Sequence, residues 1–394
     1  MWGLRYDHDK KEVVWHQEVT DSSVMIVSFG LGRDGAFYAV DYDSGEIYGL
    51  ERRPPTEKQP FPRQLSQTGL FASVKDHQVD SGVISYSINV PFWSDGASKE
   101  RFLAMPGETQ VGFDEDAGWE FDDGAVTVKS FTLELEMGNP YSRRYIETRI
   151  VVKQDGRWVG YTYAWNDEQT DAELVEVGGR DRTYIVQDPA APGGERSQLW
   201  HYPSREECMF CHSRAAGFVL GLNTPQMNRN HNYGGRVDNQ LRTLDHIGLF
   251  RKPLEKSPAE YAVLPDPFGE EADLETRSKA YLEVNCAMCH AASGGGNSRI
   301  ELRFKTPLAE AHLINERPMH DTMGLVDPRL VVPGEPERSL LYRRLAARGL
   351  NQMPPMSTNR VDARGAKLLS KWIKQLETKS DLALNRFTDL KRAD

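Results

Sequence analysis

All four cysteines of this chain fall in two copies of one pattern, Cys208-Met209-Phe210-Cys211-His212 and Cys286-Ala287-Met288-Cys289-His290. C-x-x-C-H is the attachment pattern of a c-type haem. Each thiol can form a thioether to one vinyl group of the macrocycle, and the adjacent histidine is placed to ligate the iron from one side. Two such patterns, with no cysteine left over, call for two covalently bound haem c groups. Cys208, Cys211, Cys286 and Cys289 would hold them, with His212 and His290 as iron ligands. Other uses of paired cysteines fit less well. A thioredoxin-like dithiol needs no histidine and normally sits near a βαβ pattern. Zinc sites built from two C-x-x-C pairs separate them by about 15–20 residues, whereas 74 residues lie between Cys211 and Cys286. A disulfide within C-x-x-C closes a tight, reducible loop and stabilises little.

The remaining sequence must position these groups. At 394 residues the chain has room for two or three domains. Its net charge of −10 comes with no basic stripe, which argues against nucleic acid as a partner. The charge suits a redox protein that meets a basic patch on another. No run of 18 apolar residues occurs, so no transmembrane segment is expected. The start, Met1-Trp2-Gly3-Leu4-Arg5-Tyr6-Asp7-His8, is polar and lacks the apolar core of a signal peptide. The resemblance of these motifs to those of c-type cytochromes implies attachment outside the cytoplasm, so a periplasmic or otherwise extracytoplasmic place is expected. On that expectation either the start shown is truncated or mis-assigned, or the chain is a fragment of a longer exported one.

The overall expectation is a multidomain α+β chain. In residues 1–52, short strands at 24–28, 36–40 and 46–50 alternate with the turns Gly32-Arg33-Asp34-Gly35 and Asp43-Ser44-Gly45. Three such strands cannot bury both faces. The Asp41, Asp43, Gly45 group reads as a turn rather than a calcium loop. Residues 52–66 are a proline-rich linker. Alternating runs at 83–90, 125–136, 145–152 and 158–165 predict an antiparallel β-sandwich-like domain over 67–200. Two aromatic and polar clusters, Pro91-Phe92-Trp93-Ser94-Asp95 and Trp165-Asn166-Asp167-Glu168-Gln169, read as buried anchors with turns; a carbohydrate-binding surface is the competing use.

A first haem-binding segment spans 201–251. Ser204 and Glu207 form a capping-box pattern, which predicts a helix carrying Cys208 to His212, and a second helix is expected over 238–249. Prolines 253, 258, 265 and 267 mark a second linker. Over 270–378 a helical stretch precedes the second motif. The run Gly294-Gly295-Gly296 follows it without the Lys-Ser/Thr of a phosphate loop. A final helix shows Leu368, Leu369, Trp372, Ile373 and Leu376 on one face.

Three resemblances extend this reading. Residues 28–48 resemble the closing blade of PQQ-dependent sugar (sorbosone-type) dehydrogenases, implying a partial β-propeller blade. The order of motif, ligand loop and packed C-terminal helix over 270–378 resembles class I cytochromes c, implying an all-α cytochrome c domain. Most of 67–378 resembles a dihaem c-type cytochrome family with a β-rich region and a C-terminal cytochrome domain, on the segments 91–99, 165–170, 202–212 and Met353-Pro354-Pro355.

That resemblance makes Met353 the first choice for the sixth ligand of the second haem, with Met356 next; two prolines stiffen the loop. His312 and His320 read as surface residues. For the first haem, Met227 ranks just ahead of His231, with His246 and His201 also candidates, and an open position is a third possibility. The expected function is electron transfer, a relay rather than a complete enzyme. Electrons would come from a fused or partner quinoprotein dehydrogenase and pass to a downstream cytochrome. The alternatives are a dihaem peroxidase or oxidase with one open haem, and a carbohydrate-binding redox module.

Overall fold

The computed structural model describes residues 1–20, 26–41, 45–51 and 61–376. The chain divides into two compact units, Met1–Phe61 and a second beginning at Pro62. Asp43 of the proposed turn, Val24 of the first expected strand and most of the 52–66 linker lie outside the described residues.

In the first unit, β1 (Trp2–Asp7) and β2 (Glu12–Glu18) form an antiparallel hairpin that the sequence reading passed over. Its turn is written in Asp7, whose carboxylate accepts from the N–H groups of Asp9 and Lys10. The expected three strands follow as β3 (Ile26–Leu31), β4 (Phe37–Asp41) and β5 (Ile47–Gly49), one antiparallel sheet. Among the described residues of this unit, Ala39 is the one buried apolar side chain. Trp2, Leu4, Trp15, Phe29, Leu31 and Ile47 are all exposed. Strands this apolar and this bare lack the core that three strands need to stand alone.

The second unit opens with a small hairpin, β6 (Phe71–Ser73) and β7 (Gln78–Val79). An open six-stranded antiparallel sheet follows: β8 (Val83–Tyr86), β9 (Ser98–Ala104), β10 (Val126–Glu134), β11 (Arg143–Gln154), β12 (Arg157–Trp165) and β13 (Ala172–Leu174). Each strand pairs with its neighbours in sequence, so the sheet is a meander. The small hairpin covers one face, where His77 stacks on Tyr145 and meets Phe71, Phe102 and Trp165.

The expected sandwich needs correction at the other face. The hairpin β14 (Arg180–Gln187) and β15 (Glu195–Tyr202) is a separate two-stranded sheet, tied to the end of the β10 segment by one bridge, Glu136 to Gln187. It covers one end, packing Tyr184, Val186, Trp200 and Tyr202 on Phe131, Leu133, Ile146 and Ala164. At the other end, Leu103, Val151 and Trp158 share a core with Val219, Leu222, Met227, Leu241 and Leu244. Two strands cannot span six, so among the described residues no second sheet covers the middle of this face.

That second core is built from short elements: α1 (Arg205–Cys211), α2 (Thr224–Met227), β16 (Asn230–Asn232), β17 (Val237–Asn239) and α3 (Gln240–His246). The proline-rich stretch 252–268 is packed rather than a loose linker. Tyr261 and Leu264 are buried, the Leu264 amide donates to Pro225 O (2.9 Å), and Asn228 Nδ2 donates to Pro258 O (2.7 Å).

Beyond it come α4 (Leu274–Asn285), α5 (Leu340–Ala346) and α6 (Ala363–Gln375). Their shared core holds Tyr281, Leu282, Leu313, Leu345, Leu369, Trp372 and Ile373. The all-α expectation for 270–378 is too strong, because helix is sparse between α4 and α5. Glycines 294–296 and prolines 307, 318, 328, 333 and 336 break that stretch, which holds two isolated β-bridges, Ile314 to Val331 and Arg329 to Ser339.

Candidate functional site

The first motif starts at a helix cap. Ser204 Oγ accepts from the Glu207 amide (3.1 Å), and the Glu207 carboxylate accepts from the Ser204 amide (2.7 Å). This reciprocal box sets the first turn of α1, as its spacing implied. Cys208 then faces β12, where Gly160 makes room: a Cβ at Gly160 would lie 2.7 Å from Cys208 Cβ. His212 ends the helix. Its Nδ1 bonds the Phe218 carbonyl at 2.5 Å. A carbonyl only accepts, so Nδ1 carries the proton and Nε2 keeps its lone pair. Burial, reinforced by Lys129, pushes the imidazole down to about 3. His212 is therefore a neutral, oriented base, as a metal-ligating histidine must be.

Beside it opens a cavity of about 700 Å³ whose lining includes Cys208, Cys211 and His212. That is within the range of cofactor sites. Its walls come from far-apart stretches: the uncovered middle of the six-stranded sheet, the loop 214–221, and residues 283–310 flanking the second motif. The sheet contributes Lys99, Arg101, Lys129 and Arg149. None of these cations was singled out from the sequence.

The second motif follows α4, whose N-cap Asp273 accepts from the Thr276 amide (2.9 Å). His290 Nδ1 bonds Ser298 Oγ at 3.0 Å, and burial lowers its pKa, with Arg344 adding to the shift. The glycine run lies directly over this motif. The Gly296 amide donates to Cys289 O (2.8 Å), and a Cβ at Gly296 would lie 2.6 Å from His290 Nδ1. The signal was present as glycines just after a C-x-x-C-H. It meant close backbone approach rather than flexibility.

Met353 donates its amide to Arg344 O (3.0 Å), so it and His290 both lie near Arg344. Gln352 Nε2 closes the loop by donating to Pro354 O (3.0 Å) and Thr358 O (2.9 Å). Met353 and Met356 are half-buried; His312 and His320 are exposed.

The candidate sixth ligands of the first motif do not gather there. Met227 is 1% exposed within the apolar core of Leu222, Leu241 and Leu244, and does not line the cavity. His231 bonds Ser85 Oγ and Ser87 Oγ, one through each ring nitrogen, both at 3.1 Å. His201 bridges Asp181 (2.6 Å) and Glu207 (2.8 Å). His246 is exposed at the end of α3. Met288, from inside the second motif, does line the cavity.

The two motifs meet. The Cys289 thiol lies 3.8 Å from the Phe210 carbonyl, and Cys289 reinforces the rise that burial gives the Cys211 thiol, to about 11. No protein-family model matches the chain, and no curated protein or solved structure does. Local chemistry therefore has to discriminate among uses of the cysteines. Burial raises all four thiols, Cys286 to about 12. A redox dithiol requires the opposite, a stabilised thiolate. Among the described residues no three His, Cys, Asp or Glu side chains converge as a metal cluster, which the two-pair zinc arrangement would need.

The segment 91–99 has an internal use. The Trp93 amide donates to Asn285 Oδ1 (2.9 Å), and its indole to Arg360 O (3.0 Å). The buried Asp95 carboxylate accepts from the amides of Asn359 and Arg360 (both 2.8 Å). This loop pins the sheet to the residue just before Cys286 and to the loop leading into α6. Trp165 is likewise internal, its indole donating to Thr148 Oγ1 (3.0 Å).

Proposed function

We propose that this chain is a two-haem c-type electron-transfer protein. The observation that carries this reading is the meeting of the two C-x-x-C-H segments, at 3.8 Å, from positions 79 residues apart. Two attachment motifs serving unrelated purposes have no reason to be packed together. An electron relay does, because transfer falls off with distance.

The residues present fit the group. Cys208 and Cys211 stand at a cavity of suitable size, and His212 presents a neutral Nε2 to it. At the second motif, Cys286 and Cys289 precede a His290 whose Nδ1 is likewise bonded, to Ser298 Oγ, under a close glycine cover. Each haem iron, when bound, would take up and release one electron. Phe218 O and Ser298 Oγ orient the histidines. Met353, in its closed loop, is the proposed sixth ligand at the second site, where a thioether raises the reduction potential. The proposed direction of flow is from the first site to the second.

The bare apolar strands of the first unit support a propeller-derived origin, with a quinoprotein dehydrogenase as the electron source and a downstream cytochrome as acceptor. No helix among the described residues is long and apolar enough to cross a membrane, and haem attachment implies an extracytoplasmic place. One observation favours a second reading, a peroxidase or oxidase with one open haem: none of Met227, His231, His246 or His201 lines the cavity. The carbohydrate-binding reading has less support, since the indoles of Trp93 and Trp165 both donate to groups within the fold.

The test is expression of the full chain with an export signal and haem-maturation machinery, followed by intact mass and absorption spectra. Two haem increments with low-spin spectra support the relay. No increment sinks it, and a high-spin signal that shifts with cyanide moves the assignment to the open-haem enzyme.

A further inference from the structure

Lys129, in the middle of β10, stands directly opposite Arg101 on β9 and directly opposite Arg149 on β11. Strand residues in register share a face, so the three cations form one row across three neighbouring strands. Like charges opposed across a sheet destabilise it. All three side chains line the 700 Å³ cavity, Arg101 buried and Lys129 and Arg149 half-buried.

The protein supplies little to offset this charge. Arg149 pairs with the buried Glu147. Arg101 Nη1 donates to Lys99 O (3.3 Å), and its buried Nε has no partner. The Lys129 ammonium has neither a hydrogen bond nor an ion pair among the described residues. Of the carboxylates lining the cavity, Asp116 is held by Lys305, Glu207 by His201, and Glu283 accepts from the Phe304 amide (2.6 Å). Glu310 is exposed. The same cavity has an apolar side, from Phe131, Val151, Val219 and Leu220. Cationic row and apolar wall together specify an amphiphilic anion.

We propose that the row Arg101, Lys129, Arg149 is a carboxylate receptor, which seats a ligand by its carboxylates with the ligand's apolar body against the cavity wall. Two sources share that chemistry: the two propionates of a tetrapyrrole held at Cys208 and Cys211, which rests on the function proposed above, and a free dicarboxylate, which does not. Guanidinium forks donate paired, charge-assisted hydrogen bonds to carboxylates. A seated carboxylate would offset the repulsion within the row.

The full chain, made with export and haem maturation, is compared with Lys129→Met and Lys129→Arg. Intact mass counts haem groups and so tests the proposed function separately. Redox titration and calorimetry with succinate then test the receptor. If the carboxylates belong to the tetrapyrrole, Lys129→Met lowers one of the two reduction potentials, because a nearby cation disfavours the oxidised iron. Lys129→Arg keeps that potential, and succinate does not bind. If they belong to a free ligand, the wild-type chain binds succinate, Lys129→Met weakens this at least tenfold, and Lys129→Arg restores it. Lys129→Met removes a repelling charge and keeps most of the volume, so its melting temperature should not fall. Unchanged potentials together with no Lys129-dependent succinate binding overturn the receptor. If no haem is attached, calorimetry alone decides, by the same tenfold criterion.

Discussion

The two C-x-x-C-H sites share a motif and almost nothing else. The first stands at the edge of a wide cavity floored by a β-sheet and faced with cations. The second is closed over by its own glycine run, with backbone against the histidine ring. Identical chemistry in the chain thus meets two different surroundings. The difference shows that the motif sets what can be attached, while the elements around it set access, charge and ligation.

Removing the thiols one pair at a time tests this contrast most severely. Cys208→Ala with Cys211→Ala should remove one haem mass and leave the second site's spectrum intact. Cys286→Ala with Cys289→Ala should also remove one haem, yet disturb the remaining spectrum, because Ala287, Met288 and residues 303–307 wall the first cavity. Equal disturbance in both directions breaks the asymmetry.

Next in size is a pair of glycine substitutions. Gly160→Val pushes into Cys208, and Gly296→Ala into His290. Overpacking costs about 1–3 kcal/mol, so each should lower haem occupancy at its own site only, as read by mass. Met353→Ala should lower one reduction potential, whereas Met227→Leu, a volume-conserving core change, should leave both potentials unmoved. A potential that follows Met227 would restore it as a ligand.

The smallest expected effect concerns the clamp between the two regions. Asp95→Ala strips acceptors from two amides and should cost about 1–3 kcal/mol by urea denaturation. Burial raises the Asp95 pKa above its ordinary value, against the lowering from those amides. The folded chain therefore holds this proton more tightly than the unfolded one. Its contribution makes stability fall as pH rises from about 4 through the raised pKa, and Asp95→Asn should abolish that component.

Much of the attachment chemistry was legible because it is local. The cysteine spacing, the Ser204 and Glu207 box and the apolar face of α6 all lie within a few positions. What the sequence concealed depends on pairing. Arg101, Lys129 and Arg149 become neighbours only through strand register, and alternation along single strands does not specify which strands pair. The missing second sheet was hidden for the same reason, since nothing in 180–202 says that its hairpin stops at two strands. The place of Met227, in the apolar core and off the cavity, was not legible either, because a buried methionine and a ligating one look alike in sequence. The β1–β2 hairpin was readable in Asp7 to Lys11, and the Gly296 contact was readable in part.

One consequence follows from the walls of the first cavity. They include residues 283–310, which leave the ribosome, and any translocation pore, well after Cys208 to His212. In the proposed haem protein the first site would therefore stay open to the attachment machinery until the later segment arrives and the Asp95 clamp engages, a time window set by chain growth. A delay engineered between residues 212 and 283, such as a long inserted linker, would widen it, and premature docking of the later segment would close it.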